Sequence, residues 1–379
     1  RFAFLWASRS TPRTAPARRE EGAYRQYSTD EKRRQTGWIG GLKCEVILDQ
    51  TLSSSMTAPT LPSHSEHSGP PAASRPVRPF LKWAGGKRQL LPRLREFYPE
   101  AFGAYREPFL GSGAVFFDLV NQGRLAGRRT FLTDTNGDLV GCYAHVRDEP
   151  EAVIKHLQRL AARYTRDPQG HYYRVREKFN PARQAISNGQ GIESGRYTAD
   201  LAAMLVYLNR TGFNGLFRLN SKGQFNVPLG RYSNPRICDT ENLRNVAAVL
   251  SAPTISIKQV RHVDGLAGAK AGDFVYLDPP YAPLSSTAQF TSYTSEGFST
   301  GDQKQLQRTL IRLARKGCWV LLSNSTAPEV AGLYDGNRDA ERAGLHAYQI
   351  LARRTINSNA SRRGQVKEYL ITNIPQRVS

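Results

Sequence analysis

The feature that most constrains this chain is the run Phe274-Val275-Tyr276-Leu277 followed at once by Asp278-Pro279-Pro280-Tyr281. Four apolar or aromatic residues in succession read as a strand buried on both faces, which is the habit of parallel sheets covered by helices. An acid placed directly after such a strand stands at its carboxyl end, where open α/β sheets bind their ligands. Pro279 stiffens that segment and has no N–H to compete for an acceptor. Taken alone, the same four residues could equally be a turn that ends a strand.

The flanking sequence repeats this α/β rhythm. Gly-rich KWAGGKRQLL (82–91) leads toward an amphipathic helix, YREPFLGSGAVFFDLV (105–120) reads as strand, loop and helix, and RTFLTD (129–134) as a strand ending in an acid. The rhythm resumes at 274–278, continues through a helix at 301–316 and a strand at 318–324, and ends in a strand at 367–373. Between them, residues 150–250 carry helical segments such as 199–209 and a hairpin-like stretch at 216–228. The expected organisation is therefore a core formed by 79–149 and 251–379, interrupted by an insertion at 150–250. Residues 1–78 differ in composition, and 57–78 read as a Pro- and Ser-rich linker, so this extension is expected to be disordered or non-native. Its first methionine is Met56, and residues 1–55 are expected to lie upstream of the true start.

Three further elements bear on a ligand. Phe109-Leu110-Gly111-Ser112-Gly113 puts two glycines at a strand-to-helix turn, where the backbone can approach a ligand closely. The third glycine of a dinucleotide fingerprint is replaced by Phe116, which disfavours a pyrophosphate and suits a cofactor without phosphates; a plain tight turn would look the same. Asp134 follows that turn by about twenty residues, the offset of an acid that binds ribose hydroxyls. It could instead cap the helix after it. Lys82-Trp83-Ala84-Gly85-Gly86-Lys87 suits a loop folded over a ligand, with Lys87 available to a carboxylate, and lacks the P-loop spacing.

The formal net charge is +21. Residues 1–78 hold twelve Lys and Arg against seven Asp and Glu, so +16 belongs to residues 79–379 and the basicity is not confined to a tail. A basic body points to a polyanion, nucleic acid before an anionic membrane. Cys44, Cys142, Cys238 and Cys318 are too far apart to suggest a zinc site or a disulfide framework, and the histidines, His262 among them, show no ligand spacing. No metal is expected, and no stretch is apolar for long enough to span a bilayer.

KWAGGK, EPFLGSGAVF, LTDTN, LNRTGFNGLFRLNSKGQFNVPLGRY and YLDPPYAPLS occur in the order seen in the DNA adenine methylase (Dam) family, the D12-class N6-adenine methyltransferases, and residues 79–374 resemble it throughout. The resemblance implies a Rossmann-like α/β methyltransferase core with an inserted, mostly helical DNA-recognition domain carrying a β-hairpin. It implies transfer of a methyl group from S-adenosyl-L-methionine to N6 of an adenine flipped out of duplex DNA, with a target like GATC. Asp278, Pro279, Pro280 and Tyr281 would then be catalytic: the carboxylate and the Pro279 carbonyl accept the two amine protons, freeing the nitrogen lone pair, while Tyr281 stacks on the base. Trp83, Lys87, Phe109, Gly111, Gly113, Asp134 and Asp278 would bind the cofactor. Arg218 matches an arginine that reads guanine, Leu216 and Pro228 match apolar residues at a thymine methyl, and Lys82 matches a base-contacting lysine. Arg231 and Tyr232 match residues near phosphate, Asn214 faces the orphaned base, and Phe213 stands where relatives often insert a tyrosine. Without the resemblance, Arg218 would read as a solvated charge and Leu216 as core. Arg362-Arg363 would lie in a basic turn near phosphate or in an exposed loop. A monomer, bacterial cytoplasm and association with the nucleoid are expected. The rival readings are a methyltransferase acting on RNA or on a protein amide, and a DNA-binding module without chemistry. Asp rather than Asn before Pro-Pro-Tyr opposes the amide reading, and the intact acids and glycines oppose the last.

Overall fold

In the computed structural model, residues 75–83, 85–187, 191–281, 298–353 and 365–377 are described. Five parallel strands, β1 (Tyr105–Glu107), β2 (Thr130–Asp134), β3 (Ile255–Gln259), β4 (Phe274–Leu277) and β5 (Trp319–Ser325), are joined by two antiparallel ones, β6 (His346–Arg353) and β7 (Gln365–Thr372). The order across the seven-stranded sheet is β3-β2-β1-β4-β5-β7-β6. From β1 the chain builds outward through β2 and β3, then returns to the other side of β1 with β4 and β5. The winding therefore reverses between β1 and β4, and ligands of open α/β sheets bind outside the carboxyl ends at such a reversal. This is a Rossmann-like arrangement closed by an antiparallel pair.

All four residues of β4 are buried, as their unbroken apolar run requires. Burial of each such side chain is worth roughly 1.5–3 kcal/mol, so the strand is a firm base for the acid that follows it. Among the helices, α2 (Ala114–Asn121) starts at Gly113, whose φ of 64° is left-handed and open to glycine without strain. In α3 (Gly137–Asp148) the cap is Asn136, whose side chain accepts from Leu139 N at 3.1 Å. Asp134 is therefore not the cap of α3.

Between β2 and β3 the chain also forms α4 (Pro150–Tyr164), α5 (Pro168–Gln184), α6 (Ala199–Thr211) and α7 (Thr240–Leu250). One hydrophobic cluster runs from Phe116, Phe117 and Tyr143 through Val206, Tyr207 and Leu208 to Phe217 and Phe225. The stretch expected to be a hairpin is more open than a ladder: its bridges are the isolated pairs Leu219–Phe225 and Gly212–Leu229. Its turn is closed by Asn220, whose side-chain oxygen accepts from Lys222 N at 3.0 Å and Gln224 N at 2.9 Å, with Gly223 at φ 69°. Its two arms are bonded through Asn226 N to the Arg218 carbonyl at 3.1 Å, and its flank is also tied to α5, through Asn180 with the Phe225 amide (2.8 Å) and carbonyl (3.1 Å), and Tyr172 with the Val227 carbonyl (2.9 Å).

The amphipathic helix expected after KWAGGK is shorter than its pattern suggested. A single 3-10 turn at Lys87–Gln89 precedes α1 (Leu91–Arg95), only five residues long, with a proline in its first turn. The remaining helices are α8 (His262–Gly265), α9 (Thr300–Arg315), α10 (Pro328–Tyr334) and α11 (Arg338–Arg342). Ser299 and Asp302 form a reciprocal capping box at the start of α9. Val77 and Arg78 are hydrogen-bonded to the side chains of Asn121 and Asn242, each through both amide and carbonyl at 2.9 Å. No described helix is long and apolar enough to cross a membrane.

Candidate active site

The ends of β1, β2 and β4 bring three acids to one edge of the sheet: Glu107, Asp134 and Asp278. Asp134 closes on the glycine turn, its carboxylate accepting from Gly111 N at 3.2 Å and Asn136 N at 2.9 Å. Burial pushes this acid up to about 6, against the pull of those amide donors and of Thr135 N. Gly111 and Gly113 both have positive φ, 49° and 64°, and side chains there would press on Trp83 at 3.1 Å and the Tyr143 hydroxyl at 3.0 Å. Trp83, half-buried, therefore lies directly against the turn, and on its other side it stacks on Phe217 with centroids 5.5 Å apart. Phe109 stacks on His262 at 5.1 Å, with Phe298 edge-on at 5.9 Å.

Asp278 meets Lys87, whose Nζ lies 2.6 Å from its Oδ1 and also donates to the Gly85 carbonyl at 2.7 Å. Lys87 is thus near a carboxylate, as its position implied, but the carboxylate belongs to the protein. The ion pair does not seal the acid: the Asp278 side chain retains 18 % exposure against 4 % for Lys87. Burial pushes Asp278 up to about 6, Lys87 restrains it, and the charge of Glu368 adds to the rise. Two buried polar side chains fix the backbone after Asp278. Gln303 Nε2 donates to the Pro280 carbonyl at 3.3 Å, and Gln303 in turn accepts from Asn324 Nδ2 at 3.0 Å. Among the described residues no hydrogen bond is made to the Pro279 carbonyl. Tyr281 lies with Lys87 Nζ 4.6 Å from its ring centroid and donates its phenol proton to Glu368 Oε2 at 2.7 Å.

Glu107 had no role in the sequence reading. Its carboxyl is buried, accepts from Tyr105 OH at 2.9 Å, and is pushed up to about 8 by burial, with the charges of Asp278 and Asp134 adding to the rise. It is protonated at neutral pH, which keeps a second negative charge away from Asp278. His262, set aside for want of ligand spacing, is buried against Phe109 with its Nε2 unpartnered among the described residues. Burial lowers its proton affinity, so it is a neutral ring.

The residues expected on the DNA side gather around the two ends of the open hairpin. Phe213 N donates to the Pro228 carbonyl at 2.8 Å, and Phe213 is one of two large hydrophobic side chains left exposed among the described residues. Asn214 has φ 54°, the only non-glycine in the left-handed region among them, a conformation asparagine tolerates better than most. Lys82 Nζ lies 4.1 Å from the Tyr232 ring, and burial together with nearby Arg210 lowers its proton affinity. Arg218 is exposed on the hairpin and braced by Asn226, its Nε donating to Oδ1 at 2.9 Å. Pro228 and Arg231 are exposed, and Leu216 is half-buried against the core. Asn209 couples this group to the Trp83 loop: it accepts from Lys82 N at 2.7 Å and donates to the carbonyls of Lys82 and Gly215 at 2.6 and 2.9 Å. Residues 282–285 of YAPLS and the Arg362-Arg363 pair lie outside the described residues.

The glycine turn, the acid at the ribose offset and the rings of Trp83 and Phe109 are of a kind that suits an adenosyl ligand. Fold and site together define an α/β methyltransferase that uses S-adenosylmethionine. A model of the D12 class N6 adenine-specific DNA methyltransferases matches residues 83–355. A type II methyltransferase of Lactococcus lactis subsp. cremoris is 39 % identical over 297 residues, 78 % of this chain and 95 % of that one. One from Methanocaldococcus jannaschii is 35 % identical over 308 residues (78 % and 99 %), and the DNA adenine methylase of Escherichia coli K12 is 34 % identical over 302 (80 % and 97 %). The chain belongs to the D12 class of N6 adenine-specific DNA methyltransferases. Among the described residues no group of His, Cys, Asp and Glu is arranged to hold a metal ion.

Proposed function

We propose that this enzyme methylates adenine within a GATC-like duplex site after turning the base out of the helix. The observation that carries the reading is Asp278 at the sheet's reversal, largely buried but with 18 % of its side chain exposed, with the Pro279 carbonyl beside it and Tyr281 held nearby. S-adenosylmethionine supplies a methyl group activated by its sulfonium. Trp83, Lys87, Phe109, Gly111, Gly113, Asp134 and Asp278 would hold it, with Asp134 toward the ribose.

On DNA, the basic surface provides phosphate contacts that do not depend on sequence. The Arg218 guanidinium, braced by Asn226, offers a fork that suits O6 and N7 of guanine in the major groove. Leu216 and Pro228 face a thymine methyl, Lys82 a base edge, and Arg231 and Tyr232 the backbone. Phe213 enters the duplex where the adenine leaves, and Asn214 faces the orphaned thymine. Tyr281 takes the purine face, and Asp278 and the Pro279 carbonyl each accept a hydrogen bond from one N–H of its amine. Two acceptors on two N–H bonds favour a pyramidal nitrogen, so the lone pair leaves the ring's π system and is directed out of the base plane. Positioning and preset acceptors supply the acceleration, with no covalent enzyme intermediate.

A filter assay with labelled S-adenosylmethionine tests this directly. Label should enter a GATC duplex, and enter the same duplex with that site scrambled, or an RNA of the same sequence, far more slowly. Equal labelling of the scrambled duplex would refute the assigned target, and preferential labelling of RNA would refute the substrate.

A further inference from the structure

Glu368 lies on β7 between Ser325 of β5 and Ile350 of β6, where the exposed Lys367 gives way to the buried run Tyr369-Leu370-Ile371, and is only 9 % exposed. A buried carboxylate is costly unless its oxygens are satisfied. No described Lys, Arg or His lies within ion-pair distance of this one, and among the described residues it accepts a hydrogen bond from the Tyr281 hydroxyl at 2.7 Å. That ring is held at a second point as well, by Lys87 Nζ 4.6 Å from its centroid, and Lys87 is fixed by Asp278. A continuous line thus runs from Glu368 through Tyr281 and Lys87 to Asp278, linking the antiparallel edge of the sheet to its reversal point.

We propose that Glu368 is a positioning residue for methyl transfer, fixing by its hold on the Tyr281 hydroxyl the ring against which the target adenine is seated. The proposal rests on the reading of Tyr281 as the stacking surface. A tyrosine at the end of a loop has two side-chain torsions to settle. Lys87 over one face and Glu368 at the hydroxyl settle both, and in the reading this rests on the purine takes the other face. Accepting the phenol proton also makes the ring more electron-rich, which strengthens its attraction for the Lys87 cation. Glu368 itself touches neither base nor cofactor.

The test uses the full chain with a GATC duplex carrying 2-aminopurine at the target position, whose fluorescence rises when the base leaves the stack. Glu368→Ala should lower kcat on the order of tenfold or more, the size expected for loss of a charge-assisted hydrogen bond. It should leave the Kd for S-adenosylmethionine and the KM for duplex nearly unchanged, with a weaker or slower fluorescence rise. Glu368→Gln, which still accepts the phenol proton, should recover most of kcat. In a Tyr281→Phe background, Glu368→Ala should cost little more, because the bond is already gone. An equal loss in both backgrounds, or a Gln variant no better than the Ala variant, would overturn the proposal, as would a loss confined to cofactor affinity. Tyr281→Ala separates the two layers. If it retains full rate and fluorescence, the stacking reading falls and takes the proposal with it; if it loses both while Glu368→Ala behaves as wild type, only the proposal falls.

Discussion

The acids at the site set a pH dependence that can be worked through in advance. Asp278 and Asp134 are both pushed up to about 6, and in the proposed mechanism each acts as a carboxylate, Asp278 accepting a hydrogen bond from the amine and Asp134 from the ribose hydroxyls. Activity must therefore fall as pH drops through about 6. At pH 7.5 roughly 3 % of each acid is protonated, and at pH 5 only about a tenth is ionised. The kcat/KM for S-adenosylmethionine needs both acids and should drop about a hundredfold between these pH values, with a limiting slope of two. At saturating cofactor only Asp278 limits, so kcat should drop about tenfold with a slope of one. Lys87 restrains the rise of Asp278 from 2.6 Å away, so Lys87→Gln should move the acid limb of kcat to higher pH. The assay is initial-rate transfer of labelled methyl into a GATC duplex from pH 5 to 9, with folding monitored at each pH. A kcat/KM that stays flat from pH 5 to 8, or a Lys87→Gln limb displaced to lower pH, would refute the reasoning.

Glu107 gives a prediction about stability. Its carboxyl, at about 8 in the fold, keeps a proton that the unfolded chain releases above about 4.5. This group therefore lowers stability as pH rises from 4.5 to 8, by about 3 kcal/mol at pH 7. Glu107→Gln should raise the urea midpoint more at pH 8 than at pH 5; an equal change at both would contradict the assignment. Arg218→Ala should reduce methylation of GATC by roughly 1–3 kcal/mol, or about tenfold to a hundredfold, and equalise rates on duplexes altered at the guanine. Unchanged discrimination in a competition of such duplexes would exclude Arg218 as the reader. Asn209→Ala breaks three bonds worth about 1 kcal/mol each and should lower Tm while weakening cofactor and duplex binding together. If calorimetry finds only one of the two affinities changed, the coupling of loop and hairpin is not made there.

What could be read from the sequence was local. FVYL followed by an acid fixed β4 and its ligand-facing end, because an uninterrupted apolar run has few other uses. The glycine turn and the acid about twenty residues later were legible as a spacing, and Asn136 as the cap of α3 now leaves Asp134 to the turn. Contacts across the sheet were not legible. Nothing in KWAGGK indicates that Lys87 pairs with Asp278, almost two hundred residues away. Glu107 in YREPF and Glu368 in VKEYL look like ordinary surface acids, and only the sheet order buries them beside the site. His262 was passed over because its neighbours Phe109 and Phe298 are distant in sequence. The helix after KWAGGK is shorter than its pattern suggests. A 3-10 turn at Lys87–Gln89 takes up the residues before α1 and only five residues follow as α-helix, whereas the stretch at 216–228 does fold back on itself, its backbone bonded both across the turn and to α5 side chains.

The most direct measurement is the identity of the methylated nucleoside. A GATC duplex incubated with the enzyme and S-adenosylmethionine, digested to nucleosides and analysed by mass spectrometry, should yield N6-methyladenine and no other methylated base. The Asp278→Ala enzyme should bind the duplex yet produce none. Methyl groups found on cytosine, or N6-methyladenine formed by the pure variant at a rate near that of the wild type, would contradict the role given to this acid.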